Sequence, residues 1–514
     1  LILKTIKMKN YKFTFLIILG ILFTSCSLEE EPPFLANENV YSSANNATSA
    51  LFGVYEAMVQ YEYYGNEFLF LTNVNSGLMV SRRTGNNNSN SYNSTLSSLK
   101  PSSGLVAIEN SWTGIYQTIG RTNEVINSAT ASENPSTPDE LIINDVIGQA
   151  YFVRAFNYFN LVRLWGEIPL RVTPTTTETI HLAKSPIKDV YAQIIEDVKR
   201  AQQLMNGAVA SGTPKPQAAD MLLSKVYMTL ATASGDAQDS SLNYWQLAHD
   251  EAIKAYGAYS LHDSYDNLFL GTNGNNTEES IFELQSVVGA TLDHTRAFTP
   301  NWYTKAATFG WFKINIENYD LHAATYPSDP RLATTYVSTW TRGNNGSTEK
   351  SYPTNKARSN FGNSFPYFFK LGSRDANNAV RETNKNFKIY RYADLLLMLS
   401  EISNELQNGQ QMTYVSEVLD RVGLTPHVGY AGGQDSFRTA IMKEYQFELI
   451  GEGHDWFNNR RRGYNYFLNT IIIPHNTAAS FNNSVDVTHD TDETMVMSIP
   501  MAVAEINANN EISN

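Results

Sequence analysis

The sequence predicts a mainly α-helical protein, in which antiparallel pairs of helices stack like tetratricopeptide repeats and long loop-rich insertions interrupt the stack. Three observations support this fold class. Several segments of similar length repeat apolar residues at spacings of three and four, which places those residues on one helix face. Successive pairs of this kind bury their apolar faces by stacking, although the strict repeat consensus is absent here. Apolar residues make up 42% of the 514 residues and aromatic residues 12%, enough for a large core.

The most apolar helix is predicted within residues 147–170. Its apolar residues form two neighbouring rows, namely Tyr151, Ala155, Tyr158, Val162 and Trp165, and beside them Phe152, Phe156 and Phe159. A helix that is apolar over so wide an arc should be buried between other helices. Its polar residues are expected to occupy the remaining surface: Arg154, Asn157, Asn160 and Arg163. Gly166 can adopt a left-handed conformation and Pro169 cannot continue a helix, so the helix should end there.

Shorter apolar repeats predict the other helices of the scaffold, at residues 46–61, 112–127, 190–204, 218–231 and 244–256. Pro135 and Pro138 separate the helix at 112–127 from the one at 147–170. Because proline interrupts a helix, these two segments should form a helical hairpin.

The C-terminal third is predicted to be helical again from Ile389 onwards. This segment leaves three ionisable side chains for charged contacts: Arg391, Asp394 and Glu401. Further on, Glu444, Glu448 and Glu452 are spaced four apart and should lie on one helix face. Glycosidase carboxylates flank a bond from opposite sides, about 5–10 Å apart. We therefore expect these glutamates to form salt bridges with arginines rather than to act as a catalytic pair.

Residues 261–384 have a different composition, in which Asn, Gly, Thr, Pro and aromatic residues dominate and long helical periodicity disappears. Loop-rich stretches of this length inside a compact protein are usually functional. Flat aromatic faces fit the C–H surfaces of sugar rings, although most loop aromatics only hold loops in place. Our leading hypothesis is a ligand-binding platform of Trp302, Tyr303 and Trp311, approached by Arg82 from the Asn-rich loop 82–104. Other aromatic residues of the same segments are Phe312, Tyr319, Trp340, Tyr352, Phe365 and Tyr367.

Residues 1–25 have the composition of a signal peptide. This segment contains four lysines, all before an apolar run at 13–23, and it contains no acidic residue. After the run, Thr24 and Ser25 lead to Cys26, the only cysteine of the sequence. The run is too short to span a bilayer, which takes about 20 residues. The segment looks like a bacterial lipobox, with Phe23 where Leu or a small aliphatic residue is usual, so Cys26 is expected to be lipidated. Residues 26–40 then form an acidic, proline-containing tether.

Three groups of residues carry identities that periodicity does not explain. The first lies in the helix at 147–170 and comprises Ala150, Phe152, Arg154, Ala155, Tyr158, Phe159, Leu161, Gly166 and Pro169. The second comprises Arg391, Tyr392, Ala393, Asp394, Leu396, Leu397, Met398 and Glu401. The third comprises Glu444, Glu448, Leu449, Glu452, Gly453, Trp456, Phe457, Arg461 and Gly463, followed at the C-terminus by Ile499, Pro500, Glu505, Ile506 and Asn509. Together these groups resemble the SusD/RagB family of nutrient-binding outer-membrane lipoproteins of Bacteroidetes.

The resemblance implies a SusD-like α/α superhelix and a role without catalysis or cofactor. The expected role is to capture an oligo- or polysaccharide on the extracellular side of the outer membrane and to deliver it to a SusC-like TonB-dependent transporter. Only the lipid anchor would contact the membrane. Capture of oligopeptides, as in the RagB branch of the family, is the alternative, and a surface hydrolase is a more remote one. In the third group, Tyr445 and Asp455 replace usual arginines and Asn458 a usual aspartate, so the ion pairs there should be rewired.

Charge and motifs argue against other classes of protein. The net charge of −13 becomes −17 without the four lysines of residues 1–25, which disfavours nucleic acid as a partner. The histidines lack metal-ligand spacing, and neither a nucleophile elbow nor a phosphate-binding glycine loop is present. The acidic group Asp486, Asp490, Asp492 and Glu493 lacks the glycine-centred loop of an EF-hand, so no metal is expected.

We divide the chain into four parts on these grounds. Residues 1–25 are the signal peptide and residues 26–40 the tether. Residues 41–260 are the N-terminal helical region. Residues 261–514 combine the loop-rich segment with the C-terminal region and should pack with residues 41–260 as one globular unit.

Overall fold

The computed structural model describes most of the chain from Tyr41 onwards. The described residues are 41, 43–81, 96, 99, 101–209, 212–286, 294–355, 365–374, 385–477, 494–501 and 503. The predicted signal peptide, Cys26, the tether, Arg82 and the acidic group at 486–493 lie outside the described residues.

The first half of the chain folds into the predicted series of helices and one further short helix, at Glu67–Val74, that the sequence did not predict. These are α1 Ala44–Met58, α2 Glu67–Val74, α3 Val106–Ser128, α4 Pro138–Trp165, α5 Ile187–Leu204, α6 Pro216–Thr232 and α7 Tyr244–Ala255. Neighbours in sequence pack against each other from α3 to α7, so the prediction of stacked helical pairs is confirmed. The first helix ends earlier than predicted, because the chain passes into a π-helical turn at Tyr61–Gly65.

Helix α4 lies at the centre of this half and is longer than its apolar pattern indicates. A capping box starts it, since Thr137 Oγ1 accepts from Glu140 N at 3.3 Å and the Glu140 carboxylate accepts from Thr137 N at 3.0 Å. Pro138 occupies the first turn, where no backbone donor is needed. Gly166, with φ of +72°, ends the helix as predicted.

Three polar residues of α4 that were expected at its surface are buried, which corrects the sequence-based expectation. Arg154, Asn157 and Asn160 are buried. Arg154 forms a bidentate pair with Asp197 of α5, with N–O distances of 2.8 and 2.7 Å. Apolar periodicity does not reveal that these side chains are buried, because polar side chains on one buried helix can form hydrogen bonds and ion pairs with those on the next helix.

Short strands organise the loop-rich region and connect it to the first half. The strands are β1 Met79–Ser81, β2 Ile168–Pro169, β3 Lys184–Ser185, β4 Ser280–Leu284, β5 Phe312–Ile314, β6 Tyr336–Val337, β7 Thr339–Thr341, β8 Thr348–Lys350 and β9 Tyr367–Phe368. Antiparallel pairing gives a four-stranded sheet in the order β1-β5-β9-β6, and β7 and β8 form a hairpin. Three short helices, which the sequence did not predict, lie in this region: α8 His294–Phe298, α9 Ile316–Thr325 and α10 Arg331–Thr335.

The C-terminal third begins with a strand, whereas the sequence predicted a helix from Ile389. Strand β10, Phe387–Arg391, pairs antiparallel with β4, and Phe387 lies opposite Leu284. The helices follow: α11 Tyr392–Leu406, α12 Gln411–Arg421, α13 Gln434–Leu449, α14 Asp455–Arg461, α15 Tyr464–Phe467 and α16 Ile473–Thr477. The prediction was wrong at 389–391 because a strand buried on both faces lacks the apolar–polar alternation that marks a half-buried one.

A buried ion network joins the loop-rich region to the C-terminal helices. Its members are Glu279, Asp329, Arg331, Lys370, Arg391, Arg421, Glu444, Glu448 and Glu452. Glu448 is its centre, since Arg331 Nη1 lies at 2.9 Å and Arg391 Nη1 at 2.6 Å, and Arg421 also donates to it. The expected salt bridges of Glu444, Glu448 and Glu452 are thus confirmed. Glu452, however, lies beyond the end of α13 and not on its face.

The three positions that depart from the family pattern lie around α13 and α14. Tyr445 is buried, with the Arg461 guanidinium 5.7 Å from its ring centroid. Asn458 Oδ1 accepts from Arg461 Nε at 3.1 Å, and the Arg461 guanidinium pairs with Glu401. Asp455 is buried, and its Oδ2 accepts from Gly451 N at 3.2 Å. Arg461 therefore finds its partner on α11.

Replacing Asp455 by asparagine is expected to stabilise the protein above neutral pH. Burial raises the pKa of Asp455 to about 7, so the folded state prefers the neutral acid. The cost of ionising it grows as the pH rises from about 4 to 7, and asparagine does not ionise. The gain in free energy of unfolding should be about 1–3 kcal/mol at pH 8, since the α14 N-terminus offsets part of the cost of the buried charge. At pH 5 the gain should be smaller, because less of the ionisation cost has built up.

Urea unfolding at both pH values measures this gain. Asp435→Asn, at a carboxylate whose side chain is 93% exposed, serves as the control. An equal gain at pH 5 and pH 8 would contradict the explanation.

Candidate ligand-binding surface

Trp302 lies in a tight turn with strained backbone. Tyr303 N donates to Pro300 O at 3.0 Å, which closes the turn, and Trp302 has a φ of +58°. A bulky residue in this left-handed region costs of order 1–2 kcal/mol. Such strain persists only where the surrounding structure holds it, and it is concentrated at functional sites.

The β7–β8 hairpin holds this turn in place. Gly343 N, in the hairpin loop, donates to Trp302 O at 2.8 Å. A Cβ atom on Gly343 would lie 2.6 Å from the carbonyl carbon of Thr304, so only glycine allows the hairpin to approach so closely. Trp340 Nε1 donates to Asn301 O at 3.4 Å from the adjacent strand. One backbone donor and one side-chain donor of the hairpin thus hold the turn that carries Trp302.

The Trp302 side chain is partly exposed and makes no ring contact or hydrogen bond with any described residue. Its neighbour Tyr303 packs on Phe369, with ring centroids 4.6 Å apart. Burial raises the pKa of Tyr303, and the nearby Arg374 guanidinium opposes this rise. Both side chains are half-buried, but only the Tyr303 ring packs against the aromatic ring of another described residue.

Trp311 belongs to a different aromatic group. Its ring stacks on Phe309, with centroids 4.3 Å apart and an interplanar angle of 11°, and it meets the edge of Phe70 at 5.5 Å. The Arg296 guanidinium lies 3.9 Å from the Phe309 centroid. Because Phe70 is part of the main core, this group fastens the loop to the body of the protein. The predicted platform is therefore not a single run of stacked rings.

Most of the other aromatic residues of these segments pack inside the protein. Phe312, Trp340, Phe365 and Tyr367 are buried, and Tyr319 contacts Tyr336 and Tyr352. Sequence reasoning missed the hairpin loop, where Arg342 pairs with Glu349 at 3.2 Å and reaches Asn344 at 3.3 Å. The only signal for it was the Gly-Asn-Asn-Gly turn at 343–346, which is typical of a hairpin.

The surface around Trp302 has the chemistry of a binding site for a polar ligand with flat apolar faces. The partly exposed indole of Trp302 can stack on such a face. The exposed Lys305 and Asn344 and the half-buried Arg342 and Tyr303 can supply hydrogen bonds around it. Within the described part of the chain, no group of three or more His, Cys, Asp or Glu side chains could hold a metal ion. No described helix combines the length and apolarity needed to cross a membrane.

Comparison with known proteins gives the same family over both halves of the chain. Residues 28–228 match a family model described as starch-binding and associating with the outer membrane, and residues 223–514 match the SusD family model. The SusD-like protein P2 of Formosa agariphila is 26% identical over 487 residues, which cover 88% of this chain and 91% of that protein. The SusD-like protein P25 of the same organism is 22% identical, covering 85% and 86%.

Solved structures share the fold. A SusD homologue from Bacteroides thetaiotaomicron superposes with a TM-score of 0.71 at 19% identity, covering 92% of this chain and 97% of the other. A laminarin-binding SusD-like protein gives a TM-score of 0.67 at 20% identity, covering 90% and 97%. The predicted mainly α fold with a tetratricopeptide-like scaffold is confirmed. Since the family model matches more than half of the chain, this protein belongs to the SusD family.

Proposed function

We propose that this protein captures an oligo- or polysaccharide at the cell surface, without catalysis, and passes it to a TonB-dependent transporter in the outer membrane. The observation that carries the proposal is the partly exposed indole of Trp302, which lies on a strained turn that the β7–β8 hairpin holds in place. Membership of the SusD family and the laminarin-binding neighbour support a glycan as the ligand class. Trp302 and Tyr303 form the platform in this proposal, Trp311 supports their loop, and Arg82 reaches the platform from the loop at 82–104.

Binding screens of the purified mature protein against glycan and peptide libraries test this function. We expect saturable binding of at least one glycan class, which Trp302→Ala weakens, and no release of products from the bound glycan. Binding of peptides alone would favour the oligopeptide alternative, and hydrolysis of the bound glycan would favour a surface hydrolase.

Replacing Cys26 by alanine is expected to release the protein from the membrane fraction. In our proposal Cys26 carries acyl chains, and each buried CH₂ contributes about 0.8 kcal/mol to attachment. Two or more chains make attachment stable, whereas the described residues contain no helix able to span the bilayer. Fractionation of cells expressing the exported variant and the wild type measures the effect. Retention of the exported alanine variant in the membrane would contradict lipidation at Cys26.

A further inference from the structure

A small cavity lies between the two halves of the chain, away from the Trp302 surface. It has a volume of about 40 Å³, where one water molecule needs roughly 10–15 Å³. Arg163 of α4 and Lys225 of α6 contribute to it from the first half, and Tyr390, Glu452 and His454 from the second. The cavity is therefore large enough for a small ion together with water.

Arg163 is held in this wall by aromatic side chains rather than by a carboxylate. Its guanidinium carbon lies 3.6 Å from the ring centroid of Phe159 and 3.7 Å from that of Phe457, so the two rings sandwich it. Nε donates to Phe159 O at 2.9 Å and Nη2 to Asn160 Oδ1 at 2.7 Å, both neutral acceptors. Among the described residues, Nη1 has no acceptor and no carboxylate pairs with Arg163.

Burial lowers the pKa of Arg163 to about 10, which leaves the group cationic at neutral pH. Arg163 is half-buried, so its cation loses part of its hydration, and no counter-ion among the described residues offsets that loss. The other ionised groups that line the cavity do not supply a counter-ion for Arg163. Glu452 is bonded by Arg391 at 2.8 Å and by Lys370, and Arg461 pairs with Glu401.

Two further residues of the wall, Lys225 and His454, can donate hydrogen bonds into the cavity. The Lys225 ammonium lies 2.7 Å from Asp394 Oδ2 and carries further N–H groups. His454 Nε2 is buried without a hydrogen-bond partner and lies 3.9 Å from the same carboxylate oxygen. Burial lowers the pKa of His454 to about 4, so its ring is neutral at pH 7 and has one N–H to donate.

We propose that this cavity binds a small monovalent anion such as chloride, with Arg163 as its counter-charge. The anion would neutralise the unpaired guanidinium and accept hydrogen bonds from donors of both halves of the chain. It would thereby join α4 and α6 to the segment that follows α13.

Bromide locates the site directly. Crystals of the full protein grown without halide and soaked in sodium bromide should show an anomalous difference peak inside the cavity beside Arg163. Density for water molecules alone, at a bromide concentration that saturates other sites, would overturn the proposal.

Thermal unfolding provides the solution measurement. Sodium chloride should raise Tm by about 1–2 °C over sodium gluconate at equal ionic strength, once chloride exceeds its Kd tenfold. Arg163→Met keeps the aliphatic stem between the two rings and should abolish this difference. Arg121→Met, at an arginine that is 47% exposed, should retain it. Equal Tm values for the wild type in the two salts, or a chloride effect that survives in Arg163→Met, would refute the site.

Discussion

Replacing Glu448 by glutamine is expected to lower the free energy of unfolding by about 3–5 kcal/mol, the range typical of a broken buried ion pair. Glu448 is fully buried and accepts from Arg331, Arg391 and Arg421. Glutamine has the same shape but no charge, and its NH₂ group cannot accept from an arginine. The variant would leave three guanidinium groups with one negative charge fewer between them.

The effect should also depend on pH. Burial alone would raise the pKa of Glu448, but Arg421, Arg391 and Arg331 hold it well below its ordinary value of 4.5. The folded state therefore favours the carboxylate, so its contribution is complete at neutral pH and is lost as the pH falls below about 4.5. The difference in unfolding free energy between wild type and variant should narrow by roughly 1 kcal/mol between pH 7 and pH 4.

Urea denaturation at the two pH values measures both effects. Glu56→Gln is the matched control, because Glu56 pairs with Arg121 at a site where the two side chains are 53% and 47% exposed. Such surface pairs contribute at most about 1 kcal/mol. If Glu448→Gln lowers the free energy of unfolding no more than Glu56→Gln does, the buried ion network is not a major source of stability.

The helical scaffold could be predicted from sequence because its signals are local. The spacing of apolar residues located α5, α6 and α7 to within a few residues of their observed bounds. The start of α4 was missed because it depends on a side-chain cap at Thr137 and Glu140, where apolar periodicity is absent. Helix ends are decided by such caps more than by the pattern of the helix interior.

The features missed from sequence depend on distant residues. Strand β10 forms because Phe387 meets Leu284 on β4, about a hundred residues earlier. The salt bridges of Glu448 were expected, but their partners Arg331, Arg391 and Arg421 lie on three separate elements. No periodicity connects such positions, so only the folded chain identifies the pairs.

Trp302 and Trp311 show the same limit at the candidate site. Both are tryptophans in one loop, and composition treats them alike. The structure distinguishes them by backbone conformation and by ring contacts. Trp302 has a φ of +58° and no ring contact with a described residue, whereas Trp311 stacks on Phe309 and meets the core residue Phe70 edge-on. The two residues should therefore respond differently to substitution.

Replacing Trp302 by alanine is expected to weaken binding of the glycan ligand by about thirtyfold. Truncating a central aromatic anchor typically costs 2 kcal/mol or more, which corresponds to that factor in Kd. Trp302→Gly should weaken binding equally, because both variants lack the indole. Glycine accepts the left-handed backbone without strain, so Trp302→Gly should be as stable as Trp302→Ala or up to about 1 kcal/mol more stable.

Trp311→Ala provides the contrast within the same loop. It removes a ring packed against Phe309 and Phe70, so it should lower the free energy of unfolding by about 2–3 kcal/mol, less than a fully buried tryptophan because Trp311 is partly exposed. Its glycan affinity at a temperature where the variant is folded should fall by less than that of Trp302→Ala. Isothermal titration with the glycan found in the screen, together with urea denaturation of the three variants, measures both quantities. Native affinity in Trp302→Ala and Trp302→Gly would place the binding surface elsewhere on the protein, since neither substitution disturbs the scaffold that carries the loop.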